Sequence, residues 1–161
     1  AIPDAGVEPP TPPSIPAKAE TAPPPRVACA LRTKRTSNGA YFVPVRLVRD
    51  EYWMLFDTGA TTSVLRREIA AEIGASIDEE RRMKGIGASG PVDMPTSEIA
   101  EVAVGPRKLK QAIVAICDGC TGADAAGLIG LDLQAEFGLV LRPANNDVVF
   151  ANCDDATGLA P

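Results

Sequence analysis

The sequence predicts a mostly-β single domain, a small closed barrel or sandwich with one or two short helices. Three observations predict it. Short apolar runs recur with alternating or strongly β-prone composition, turns bearing glycine or proline punctuate them, and only two stretches carry helical spacing. A length of 161 residues is close to the prior for one domain. Nine of the 15 prolines fall in residues 1–25, and a segment so rich in Pro and Ala builds no core. Residues 1–26 therefore read as a disordered tail or linker, 27–153 as the folded domain and 154–161 as a C-terminal tail. No apolar run is long enough to cross a bilayer, which predicts a soluble chain, and no internal repeat is visible.

The elements follow in order. Residues 40–48 alternate as a strand with Pro44 near its start or on an edge, and Arg49-Asp50-Glu51 breaks it. Tyr52 to Phe56 returns as the second strand of a hairpin. Ser63 to Leu65 is extended again. Ile69 and Ile73 stand one turn apart in a helix over 66–73, with Gly74 placed to end it in the left-handed conformation. A glycine-rich tip over 85–90 is flanked by extended segments at 77–84 and 91–104. Gly105-Pro106 turns the chain into the β-prone run 109–116. After a loop over 117–127 comes Leu128-Ile129-Gly130. Asp132 is then expected to cap a short helix that ends near Gly138, and 139–141 with 148–150 close the domain as a hairpin.

Charge and composition exclude several functions. With 16 basic and 21 acidic side chains the formal net charge is −5, against a nucleic-acid binder with a broad basic surface. The six basic residues between Arg26 and Arg49 read as a solvated linker more readily than as an anionic docking surface. Histidine is absent, which removes Ser-His-Asp and Cys-His catalysis and His-ligated zinc. Four cysteines remain: Cys29, Cys117, Cys120 and Cys153. The close pair Cys117-x-x-Cys120 is open to zinc, redox or disulfide readings. No second close pair completes a zinc site, and Asp118-Gly119 reads as loop rather than helix start. Structural disulfides are favoured, joining the 117–120 loop to Cys29 or Cys153. They place the domain in an oxidising compartment, periplasmic or otherwise exported, with a possible membrane anchor outside this chain.

One string carries chemistry. Asp57-Thr58-Gly59-Ala60 follows directly on an apolar strand, and a carboxylate there is costly unless something satisfies it. Asp-Thr-Gly alone is also ordinary turn chemistry. Two further strings stand in order behind it: Gly85-Ile86-Gly87, and Leu128-Ile129-Gly130-Leu131-Asp132. Gly85-x-Gly87-x-x-Gly90 formally matches a dinucleotide fingerprint, yet Arg81-Arg82-Met83-Lys84 is no buried strand and Pro91 stands where the helix would run. Arg81, Arg82 and Lys84 read as a solvated face.

Taken together over residues 40–150, these strings resemble the retropepsin-like aspartic proteases of the single-domain, non-viral or bacterial branch. The resemblance implies a retropepsin-like closed barrel, a flap hairpin and a two-fold homodimer. It implies that Asp57 supplies one catalytic carboxylate, and that Thr58 bonds across the subunit boundary. Gly59 and Ala60 would complete the turn, and Leu128, Ile129 and Gly130 would support it from behind. Gly85, Ile86, Gly87 and Ala88 would form the substrate-binding flap. It calls for no cofactor and no metal. Peptide hydrolysis of this kind uses two carboxylates, and the chain holds no second Asp-Thr-Gly or Asp-Ser-Gly, so a second copy must complete the site. Thr61 and Thr62 stand where viral members carry acids, and Leu131 stands where they carry a paired arginine. Both halves of that ion pair are missing together. The expected partners are a second copy and a peptide or protein substrate. The alternatives are a catalytically weak dimerisation or peptide-binding module, and a disulfide-stapled envelope domain with an incidental Asp-Thr-Gly.

Overall fold

Alternation puts Val43, Val45 and Leu47 on the inner face of β3 (Tyr41–Leu47), where all three are buried. The chain turns back into β4 (Asp50–Phe56) in register Leu47↔Asp50, so the turn is Val48-Arg49 rather than the three-residue break expected. Val48 takes φ +58°, a costly conformation for a β-branched side chain. Its N–H donates to Glu101 O at 2.8 Å, which holds the turn against the neighbouring strand. Pro44 falls where the outer side of β3 passes from one partner to another, between the pairings of Lys34–Arg35 (β2) and of Gly90–Val104 (β7). There its missing donor is tolerated.

The computed structural model describes residues 27–161; the expected tail 1–26 lies outside them. Beyond β4 come β5 (Val64–Leu65), α1 (Arg67–Glu72), β6 (Ile77–Gly87) and then β7. Next are β8 (Arg107–Ile116), β9 (Gly127–Ile129), α2 (Leu131–Phe137), β10 (Leu139–Arg142) and β11 (Asp147–Phe150). The main sheet runs β2-β3-β4-β9-β5-β8-β7-β6, and a β3–β7 pairing closes its six middle strands into a barrel. Two short helices complete a mostly-β fold. The short strand β9 lies parallel to β4 and antiparallel to β5, wedged between two segments that are close in sequence. Leu65, Ile99, Val102, Ile129 and Phe150 sit in the main core. A second, smaller cluster holds Val64, Met94, Ala115 and Leu128.

Gly74 ends α1 at φ +72° and Gly138 ends α2 at φ +62°, both as the sequence predicts. Three features differ from expectation. Asp132 is not at the cap position of α2, which is Gly130; its carboxylate accepts the Leu133 N–H in the first turn at 2.7 Å and also reaches across to Ser63. Residues 154–161 turn back rather than trail away, and β12 (Leu159–Ala160) pairs antiparallel with β1 (Val27–Ala28) and buries Ala160.

The cysteine pairing is also corrected. Cys29 bonds Cys153, and Cys117 bonds its neighbour Cys120. The backbone explains it. Ala30 bridges to Val149, the Phe150 N–H donates to Cys29 O and the Cys29 N–H donates to Gly158 O, which brings the domain's two ends together. Cys117 is held elsewhere, its N–H on Leu65 O.

Candidate active site

From Tyr52 to Phe56 β4 is apolar, with Met54 and Phe56 buried in the core, so its end is fixed in space. Asp57 is the first residue past that end, half-buried, and its N–H donates to Ile129 O at 3.1 Å. The chain then turns, and the Gly59 N–H donates to Asp57 Oδ1 at 2.8 Å. That bond orients one carboxylate oxygen. A Cβ on Gly59 would stand 3.2 Å from the same oxygen, a tight approach that favours glycine at this position. Thr58 and Gly59 are exposed, and no hydrogen bond to the Thr58 side chain occurs among the described residues.

The segment behind the turn comes from β9. A Cβ on Gly130 would lie 2.6 Å from the Thr62 carbonyl carbon and 3.0 Å from Ala60 O, so two backbones pass in contact here and only glycine fits. The Leu131 N–H then donates to Ala60 O at 2.8 Å. Ser63, fully buried, ties the crossing together. Its Oγ donates to Asp132 Oδ1 at 2.6 Å and accepts the Gly130 N–H at 2.9 Å, while its own N–H meets both Asp132 oxygens at 3.0 Å. Charge-assisted bonds of this kind are the stronger ones in a protein. Gln134, on the inner face of α2, donates from Nε2 to Asp57 O at 2.8 Å and to Ile129 O at 2.9 Å.

The structure thus brings Asp57, Gly59 and Ala60 together with Ile129 and Gly130, and packs Leu128 beneath them. The flap residues form a separate projection. β6 and β7 pair in register up to Gly87↔Gly90, leaving Ala88-Ser89 as a two-residue tip with Gly90 at φ +114°. Ile86 is 89% exposed. The flap root, rather than its tip, meets the turn: Met83, Val92 and Met94 share the smaller apolar cluster with Ala60, Leu128, Cys117 and Cys120. Arg82 is drawn from the solvated face into a pairing across the hairpin, Nε to Asp93 Oδ1 at 2.9 Å. Asp118, between the second pair of cysteines, accepts the Arg67 N–H at 2.8 Å and so caps α1.

Sequence reasoning overlooked Ser63, Gln134 and the true role of Asp132. A signal existed for Gln134, a polar residue on the same inward face as Leu133 and Phe137. None existed for the pairing of Ser63 with Asp132, which the chain brings together across 69 positions.

A six-stranded barrel with Asp-Thr-Gly at the end of an inner strand, backed by a glycine crossing, defines an aspartyl-protease type of architecture. The family model described as Aspartyl protease matches residues 43–133, and the chain belongs to that family, in its retropepsin-like form. Among solved structures it resembles a retropepsin-like aspartic protease from Rickettsia conorii, with 15% identity and a TM-score of 0.56 over 78% of this chain and 89% of that one. It also resembles the EIAV protease complexed with the inhibitor HBY-793, with 20% identity and a TM-score of 0.52 over 68% of this chain and 98% of that one. No curated protein sequence matches the chain.

Proposed function

We propose that the protein is an aspartic endopeptidase whose active site forms when two copies meet about a two-fold axis, each contributing Asp57. The observation that carries this is a finished half-site that faces outward. The Asp57 carboxylate is oriented from within by Gly59, while Thr58, Gly59 and Leu131, 47% exposed, are left uncovered beside it. An exposed apolar residue next to an ordered carboxylate is what a symmetric partner would cover. The four-residue β10, paired among the described residues with β11 on one side only, adds an open strand edge with Val140 exposed.

Two carboxylates in contact share one proton, because like charges at that distance do not both ionise. The ionised one accepts a proton from water as the water oxygen bonds to the scissile carbonyl carbon. The protonated one donates to the carbonyl oxygen. The tetrahedral diol then collapses: one hydroxyl returns its proton to the ionised carboxylate, the C–N bond breaks, and the departing nitrogen takes up the proton of the other carboxyl, which leaves the dyad with one proton again. Ile86 and the glycines around it form the flap that closes over a peptide. Two disulfides agree with an exported, oxidising location.

The test is Asp57→Asn, which keeps the shape and removes the proton acceptor. The dimer is expected to persist and peptide hydrolysis to vanish. Mixed with an equal amount of wild type and allowed to exchange, the variant leaves about a quarter of dimers fully wild type, so activity per wild-type chain falls to about half. A constant rate per wild-type chain, with exchange shown by native mass, would mean that one chain suffices.

A further inference from the structure

We propose that Gln134 is a positioning residue for the Asp57 carboxylate, an inference that rests on the reading of Asp57 given above. Its basis is a missing rung. β4 and β9 pair in parallel through Phe56↔Ile129, and the Asp57 N–H continues that ladder onto Ile129 O. In a regular parallel ladder the next bond would run from the Leu131 N–H to Asp57 O. Here the chain turns at Gly130 into α2, and the Leu131 N–H goes to Ala60 O at 2.8 Å. The carbonyl of the residue that carries the carboxylate loses its strand donor at the one point where its orientation matters.

Gln134 supplies the replacement. Its side chain is buried, with the residue only 6% exposed, and an amide is costly there unless bonded. Both Nε2 hydrogens are used, one on Asp57 O at 2.8 Å and one on Ile129 O at 2.9 Å. Both neighbours are acceptors, so the nitrogen end of the amide must face them. Ile129 O keeps a second donor in the Asp57 N–H, whereas Asp57 O has only Gln134 among the hydrogen bonds of the described residues. Holding Asp57 O fixes the plane of the Asp57–Thr58 peptide. That plane sets where the following turn delivers the Gly59 N–H, 2.8 Å from Asp57 Oδ1. A side chain on the first helix after the glycine crossing thereby steers the carboxylate without touching it. An apolar residue of the same length would fill the space and leave the carbonyl free to rotate.

Two variants of the full chain test this, Gln134→Met, which keeps length and loses both donors, and Gln134→Glu, which donates only while its carboxyl is neutral. Gln134→Met is expected to stay dimeric by native mass, to hold KM within about twofold and to lose about tenfold in kcat, the scale of a small misplacement of a reacting group. Gln134→Glu is expected to approach wild-type kcat at acid pH and to fall away as the new carboxyl ionises, a limb absent from wild type. Wild-type kcat in Gln134→Met, or an unchanged pH profile in Gln134→Glu, overturns the proposal. If Gln134→Met does not fold, the pH profile of Gln134→Glu decides alone. If wild type cleaves no peptide, the protease reading fails separately. The positioning claim is then read by amide hydrogen exchange. It stands if Gly59 exchanges about tenfold faster in the variant while Val43 and Val45 are unchanged, and it falls if Gly59 does not move.

Discussion

The floor of the site and the flap above it are both glycine-rich, for opposite physical reasons. On the floor, glycine is forced by contact: Gly127 and Gly130 have backbone of the β5 side directly against them, with Val64 O facing the first and the Thr62 carbonyl the second. In the flap, Gly85 and Gly87 have ordinary room. Added Cβ atoms would meet only Val92 at 3.5 and 3.4 Å, with Met94 and Gly90 O slightly further out. Floor glycines let two strands cross, and flap glycines keep a hairpin light and pliable. The floor is also saturated with hydrogen bonds through Ser63, Asp132 and Gln134, while Ile86, just before the flap tip, is left almost wholly exposed. Rigidity and freedom are thus obtained from the same residue type in two different surroundings.

Alanine replacement should break this symmetry of composition most sharply. Gly130→Ala is expected to abolish the folded barrel, because the obstructing atoms are backbone and have nowhere to move. Gly85→Ala should be neutral or stabilise by up to about 1 kcal/mol, since it removes unfolded-state freedom at no steric cost. Circular dichroism and thermal melts check both, and a native-like melt for Gly130→Ala would refute the crossing argument.

The disulfides sharpen the comparison, since one joins the chain ends and the other borders floor and flap. Cys29–Cys153 closes a loop of sequence separation 124 and Cys117–Cys120 one of separation 3. Chain-entropy scaling gives about 5 kcal/mol for the first and about 2 kcal/mol for the second. Paired Cys→Ser variants, unfolded in urea, should rank in that order, and the reverse order would show that the small loop carries the greater share.

The smallest effect concerns the hairpin that continues the floor past α2. Asp147 takes two bonds from Arg142, Nη2 to Oδ2 at 2.7 Å and Nε to Oδ1 at 3.0 Å, and the first of these effects holds its carboxyl below the usual aspartate range. A folded-state value below the unfolded one means that the native state binds fewer protons, so the stabilisation is present at neutral pH. It is lost as pH falls from the ordinary aspartate range through the folded value. The stability of Asp147→Asn should lack this acid-side loss, which urea titrations across that range will show.

Much of this was legible in sequence because it is local. Alternation placed Val43, Val45 and Leu47, turn chemistry placed the flap tip, and Gly74 and Gly138 ended their helices. The three ordered strings carried the family. What escaped depended on distant partners. The disulfide pairing follows from β1 meeting the C-terminal segment, and no spacing rule encodes that meeting. Asp132 looked like a cap because a carboxylate near a helix start usually is one. Its partner Ser63 becomes a neighbour only when β9 slots in between β4 and β5.

The clasp between Cys29 and Cys153 also has a mechanical meaning. Val27–Ala28 pairs with Leu159–Ala160, so the two ends of the described chain leave from one spot, and the covalent bond lies just inside them. Tension applied between those ends runs from one sulfur to the other and bypasses residues 30–152 altogether. The carboxylate and the strands that aim it carry none of that load, however hard a tether on either side is pulled. Reduce the bond, and the same tension would pass through the barrel.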